Sequence, residues 1–248
     1  MKSGLTGVSA RWFAPDATVL AFHRVGMPSP TFRGDHSLYS IRTDDFRQLM
    51  LQCRERFTVL PLNEIFGRVR DGERHARPAI AITFDDGYRD NFEVAAAILT
   101  ELDLPATFFI SPGLIDDPHG RWWDTIAALS SHGQIMERFG FSHGREMLHA
   151  IKTQPFEKSS HLLHSLREFS RQHLSDHSRE MMSWDMVREL HQRGFEIGAH
   201  TLTHRVLSTL SLPEQQAEIM ESKNLPPSAP SPIRSEDQRT TRQKPSNW

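Results

Sequence analysis

The run Pro78 to Phe84 (PAIAITF) places apolar side chains on both faces of a short β-like segment. A strand of that kind needs cover above and below, which helices packed on a parallel sheet supply and a water-facing antiparallel sheet does not. Its neighbours repeat the theme. Thr18 to His23 (TVLAFH), Phe57 to Leu60 (FTVL, ended by Pro61), Ala106 to Ile110 (ATFFI, opened by Pro105 and ended by Ser111-Pro112-Gly113) and Phe195 to Ala199 (FEIGA) are short runs bounded by turn residues. Between them the spacing turns helical. Asp44 to Cys53 repeats through Phe46, Leu49 and Met50. Asn91 to Leu99 has Asp90 as its expected cap, with Phe92, Ala95, Ala96 and Leu99 inward. Met182 to Gln192 has Ser183 as its cap, Trp184, Val187 and Leu190 inward, and Gly194 as its stop. Four or five strands alternating with helices predict an α/β fold with a parallel sheet or barrel, not a bundle or sandwich.

The stretch from Gly113 to Ser183 is too long for an ordinary connection between a strand and a helix. Its helix-like pieces, Trp122 to Leu129, Gly140 to Ile151 and Phe156 to Phe169, mark about 114–182 as a helical insertion at one end of the sheet. His143, His149, His161, His164, His173 and His177 lack tight metal-ligand spacing and are expected at the surface. Trp122 and Trp123 suit either stacking on a sugar ring or packing between insertion and sheet. Pro213 to Lys223 reads as a last helix. After it, Pro226, Pro227, Pro230, Pro232 and Pro245 among polar residues predict a disordered tail. The expected organisation is one domain over residues 1–223, holding the insertion, and a tail over 224–248.

Composition narrows the function classes. Lys plus Arg number 29 against 31 for Asp plus Glu, a net charge of −2, so no general electrostatic grip on nucleic acid is expected. The only cysteine, Cys53, cannot close an intrachain disulfide, and 248 residues suffice to hold a core by packing alone. Neither a signal peptide nor a long uncharged apolar run is visible, which predicts a cytoplasmic protein with no membrane span. Nothing in the pattern specifies an oligomeric state.

Two clusters carry chemistry. TFDDGY (Thr83 to Tyr88) stands where a buried strand runs into a glycine turn, the end at which α/β folds build their sites. Adjacent carboxylates repel; a cation beside them relieves the repulsion and lets one bind it while the other accepts a proton. The same pair would also serve to cap a helix or open an Asp-Gly turn. HTLTH (His200 to His204) again follows a strand, and its two imidazoles can reach one ion if the segment turns once. Position 201 is Thr, so the zinc-protease pattern with an internal Glu base is absent. Taken together, parallel strands would put both clusters at the same rim, giving one Asp and two His for one divalent cation with open positions for water and substrate. A glycosidase fits poorly: its two carboxyl groups must flank a glycosidic bond roughly 5–9.5 Å apart, whereas Asp85 and Asp86 share one short turn.

With these motifs the sequence resembles the polysaccharide deacetylases that share the NodB homology domain, also called carbohydrate esterase family four. TFDDGY is similar to the family's first motif, which implies Asp85 as catalytic base and Asp86 as metal ligand. HTLTH is similar to the second, which implies His200 and His204 as the remaining ligands. AFHRVG (Ala21 to Gly26), ATFFI and SWDMVRELHQRGFEIGAH (Ser183 to His200) extend the likeness over about Thr18 to Lys223. The resemblance implies a distorted, incomplete (β/α) barrel, one divalent ion, zinc foremost, and removal of N- or O-acetyl groups from an acetylated glycan or oligosaccharide.

His204 is the last histidine in the chain. The family's later segments, an Arg-Pro-Pro-aromatic motif, an Asp motif and a Leu-x-His that supplies the general acid, have no counterpart after it. His23 and Arg24, at the end of the first strand, are near enough in the pattern to approach the site, but no spacing argument makes either one the acid. The change of character near Asn224 is what an altered reading frame or premature end would produce. General acid catalysis is typically worth roughly 10²–10⁴-fold, so the expectation is residual activity, or an inactive metal- or glycan-binding remnant of the family.

Overall fold

The computed structural model describes residues 17–71, 77–130, 133–174 and 180–223. The tail over 224–248, the first residues of the chain and His177 lie outside them.

The first half alternates as the sequence implies. Strand β1 (Ala17–Phe22) is followed by short β2 (Arg24–Val25) and β3 (Tyr39–Ile41), then helix α1 (Thr43–Arg56), β4 (Thr58–Val59), helix α2 (Leu62–Arg70) and the fully buried β5 (Ala79–Phe84). A π-turn over Asn91–Ala96 leads into α3 (Ala97–Glu101) and β6 (Thr107–Ile110). The stretch after β6 contributes α4 (Pro112–Asp116), α5 (Trp122–Ser130), α6 (Gly133–Arg138), α7 (Gly144–Thr153) and α8 (Phe156–His173). Helix α9 (Trp184–Gln192), strand β7 (Glu196–Ala199) and helix α10 (Leu212–Glu221) complete the described chain. No described helix is long and apolar enough to cross a membrane.

The main sheet is parallel. β5 pairs with β1 along its whole length on one edge; on the other, β4 lies beside Ala79 and Ile80, and β6 beside Thr83 and Phe84. β7 pairs with β6 from Thr107↔Glu196 to Ile110↔Ala199. Among the described residues β1 and β7 pair along one edge each, so the strands form an open array with helices packed on it, the mixed α/β fold of the expectation.

Aromatic rings tie neighbouring strands together. Phe22 stacks on Phe84 with centroids 5.6 Å apart, Phe84 on Phe108 at 4.8 Å, and Phe195 meets Phe108 edge-on at 5.3 Å. Such pairs contribute about 0.5–1.5 kcal/mol each beyond the area they bury. Because Phe22 and Phe84 are paired residues, His23 and Asp85 leave the sheet side by side.

Helices α4, α5, α7 and α8 build a second core of Leu114, Trp122, Trp123, Ile126, Leu129, Met147, Ile151 and Leu166, which Tyr88 and Met181 join. Trp122 and Trp123 are 7% and 8% exposed, so they pack rather than present a face to solvent. His143, His149, His161, His164 and His173 are exposed as expected.

One expected cap is corrected. Asp90 has a helical backbone and makes no capping bond to the turn after it. Its carboxylate instead accepts the Val25 N–H at 2.9 Å and the Arg24 Nε–H at 2.7 Å. A buried cation outcompetes a helix end, whose partial charge is smaller. Asn91 turns away likewise, donating its side-chain amide to the His23 carbonyl at 2.8 Å. Ser183 behaves as its position implies, accepting the Met186 N–H at the start of α9.

Candidate metal centre

The first cluster leaves β5 through a tight left-handed turn. The Asp85 N–H still donates to the Phe22 carbonyl at 2.9 Å, continuing the sheet by one residue. Asp86 then adopts φ 73° and Gly87 φ 88°. At position 87 a glycine is required: its φ disfavours any side chain, and a Cβ would stand 3.3 Å from Ile110 Cγ2. At Asp86 the same conformation is a cost that the surroundings hold in place. They do so through the Met182 N–H, which donates to the Gly87 carbonyl at 3.0 Å, and through an antiparallel bridge between Tyr88 and Met181.

The second cluster leaves β7 the same way. The His200 N–H donates to the Ile110 carbonyl at 2.8 Å, and Ser111 Oγ donates to the His200 carbonyl at 2.7 Å. Thr201 and His204 are both left-handed, with φ 61° and 56°. Between them the loop lies against Gly113, whose N–H donates to the Leu202 carbonyl at 2.8 Å; a Cβ at 113 would meet that same oxygen at 2.8 Å.

These turns bring three ligand atoms together. Asp86 Oδ1 lies 3.1 Å from His204 Nε2 and 3.4 Å from His200 Nε2, and the three are within 4.8 Å of one another. Asp86 is 2% exposed, and its Oδ1 accepts no hydrogen bond of good geometry. A buried carboxylate oxygen with open lone pairs, facing two imidazole nitrogens, is the donor set of a divalent cation, so the residues fit a metal.

The electrostatics favour the same state. Burial alone would raise the Asp86 carboxyl, but the His204 and His200 imidazoles outweigh it and hold it below the usual range. Burial pushes His200 down, with His204 adding to the effect against Asp86 and Asp85. An ionised carboxylate beside a neutral imidazole is the protonation state that ligation needs. Asp85 is half-buried; burial raises its carboxyl, opposed by His200 and His23.

Of the two other residues near the end of β1, His23 acts electrostatically on Asp85 and Asp86. Arg24 goes elsewhere. Its guanidinium is 3% exposed, bonds Asp90 and Glu180, and is packed among the rings of Phe32, Tyr39 and Tyr88 at 4.9, 4.3 and 4.6 Å.

Trp123, Tyr88 and Glu218 border the cluster and were not singled out for it by sequence reasoning. Trp123 packs on His204 and donates its indole N–H to the Tyr88 hydroxyl. The signal for Glu218 was a carboxylate on the inward side of α10, where it is 4% exposed.

An open parallel sheet with an Asp-His-His cluster at the carboxyl ends of its strands is the arrangement of an α/β protein whose chemistry sits on its loop-bearing rim. The chain belongs to the polysaccharide deacetylase family, whose model (Polysaccharide deacetylase) matches residues 72–225, more than half of the sequence. No curated protein matches it. Among solved structures, the Streptococcus pyogenes deacetylase PplD in complex with acetate superposes with a TM-score of 0.53 at 19% identity, covering 84% of this chain and 66% of that one. A polysaccharide deacetylase from Bacillus cereus gives 0.47 at 16% identity, covering 84% and 45%. IcaB from Ammonifex degensii gives 0.42 at 18% identity, covering 75% and 52%. The chain thus spans between about half and two thirds of the length of these structures.

Proposed function

We propose that this chain is a metal-dependent hydrolase that removes acetyl groups from N- or O-acetylated carbohydrate. The observation that carries the reading is the orphaned, buried oxygen of Asp86 facing the Nε2 atoms of His200 and His204. Those three residues would hold one divalent ion, zinc being the first candidate for a carboxylate and two imidazoles. Such an ion supplies Lewis acidity to an acetyl carbonyl and makes water more acidic.

The chain's own residues do the rest. Asp85, half-buried and next to Asp86, would take the proton of an attacking water at its carboxylate. Trp123 packs on His204, and Asp86 is 2% exposed, a burial that strengthens charge interactions at its carboxylate. His23, leaving the sheet beside Asp85, adds a positive influence on the base when protonated.

The test is acetate release from an acetylated chito-oligosaccharide by the purified chain. Loss of release on chelation and with Asp85→Asn supports the reading; release that survives both sinks it. Retention of one divalent ion with no acetate release would favour the second reading, a metal- or glycan-binding member without turnover.

A further inference from the structure

We infer that Glu218, on α10, is a positioning residue for the metal centre, holding the short segment between His200 and His204 so that both imidazoles face Asp86. The inference rests on the metal-binding reading above and adds to it an element that touches no ligand atom.

Three residues separate the two histidines, and two of them, Leu202 and Thr203, donate hydrogen bonds to Glu218. The Leu202 N–H donates to its backbone carbonyl at 2.9 Å. The Thr203 N–H donates to its Oε2 at 2.8 Å, and the Thr203 hydroxyl donates to its Oε1. The opposite side of the segment is held by Gly113, through the Leu202 carbonyl. The loop is thus clamped between the start of α4 and the last turns of α10.

A clamp is needed because the loop is bent against preference. Thr201 and His204 both take the left-handed conformation that side chains disfavour, and such residues persist only where their surroundings over-determine them. The one internal brace, the His204 N–H to Thr201 Oγ1, is long at 3.2 Å. Glu218 is a costly choice for mere packing, being 4% exposed; Arg205 Nε stands 3.6 Å off and offsets part of its charge. An apolar side chain would fill the space but leave the Thr203 N–H and hydroxyl without acceptors. Holding the loop is the role its hydrogen bonds describe.

The full chain, stripped of metal, is titrated with Co²⁺ and followed by its visible absorption, with far-UV circular dichroism checking the fold. Glu218→Ala is expected to weaken Co²⁺ binding about 10- to 100-fold, the usual effect of losing a residue that orients ligands. Glu218→Gln keeps both hydrogen bonds, since its amide oxygen accepts the Thr203 N–H and its amide donates to the hydroxyl; it should stay within about threefold of wild type. Thr203→Val, which deletes only the hydroxyl bond, should fall between them. Wild-type affinity in a folded Glu218→Ala chain overturns the inference, as does a Glu218→Gln chain as weak as Glu218→Ala. Should Glu218→Ala not fold, wild-type affinity in Thr203→Val overturns it instead. A wild-type chain that binds no Co²⁺ is a different failure, read before any variant is made, and removes the metal reading itself.

Discussion

The indole ring of Trp123 lies on the imidazole of His204, with centroids 4.5 Å apart and planes at 53°, and its N–H is donated to the Tyr88 hydroxyl at 2.8 Å. One side chain of α5 therefore touches both clusters: the histidine motif through its ring, and the residue two places after Asp86 through its nitrogen.

Trp123→Ala should destabilise the chain by about 3–5 kcal/mol, because the ring is buried and the cavity it leaves adjoins a second core that cannot collapse onto the sheet. Trp123→Phe retains most of the ring contact but leaves the wholly buried Tyr88 hydroxyl without its donor, a cost of about 1–3 kcal/mol. Urea denaturation of both variants reads the order; a midpoint for Trp123→Ala equal to wild type would refute it.

The Arg24 cluster makes a second prediction. Asp90→Ala leaves a guanidinium that is 3% exposed with Glu180 as its remaining carboxylate and deprives the Val25 N–H of its acceptor. Breaking a buried pair from one side typically costs about 3–5 kcal/mol. Removing the surface pair of Arg47 and Glu101 by Arg47→Ala should leave the denaturation midpoint almost unmoved, since water screens that pair. Equal losses from the two variants would show that burial is not what gives the Asp90 pair its weight.

A third prediction concerns pH. Burial pushes the His119 imidazole below its ordinary value of 6.5, Asp117 opposing and Arg171, Arg121 and Arg167 assisting. The folded state thus binds fewer protons here than the unfolded state does. The contribution of neutral His119 is full above about pH 6.5 and is lost as pH falls below it toward the lowered folded value. Melting temperatures measured from pH 7.5 down to 5 should fall faster for wild type than for His119→Gln; parallel curves would exclude the effect.

Much of the frame was legible from period alone. PAIAITF and ATFFI could be read as covered strands because burial on both faces removes polar residues, and Ser183 and Gly194 bracket α9 by local chemistry that needs no distant partner. Asp90 shows where such reading fails: an Asp before a helical run has the pattern of a cap, yet its partner was an arginine 66 positions earlier. Glu218 fails similarly, because a carboxylate near the end of a helix reads as solvated until the loop it holds is seen.

Sequence by itself determined the chemistry on offer, two carboxylates after one strand and two imidazoles after another, because hydrophobic period and turn residues are local properties of the chain. Tertiary structure alone decided that Asp86 turns inward to meet both Nε2 atoms while Asp85 stays half-buried beside it. That choice depends on left-handed turns at Asp86, Thr201 and His204, on β6 lying between β5 and β7 in the sheet, and on Trp123 and Glu218 arriving from far along the chain. Contacts between residues so distant in sequence are set by packing, which no local window contains.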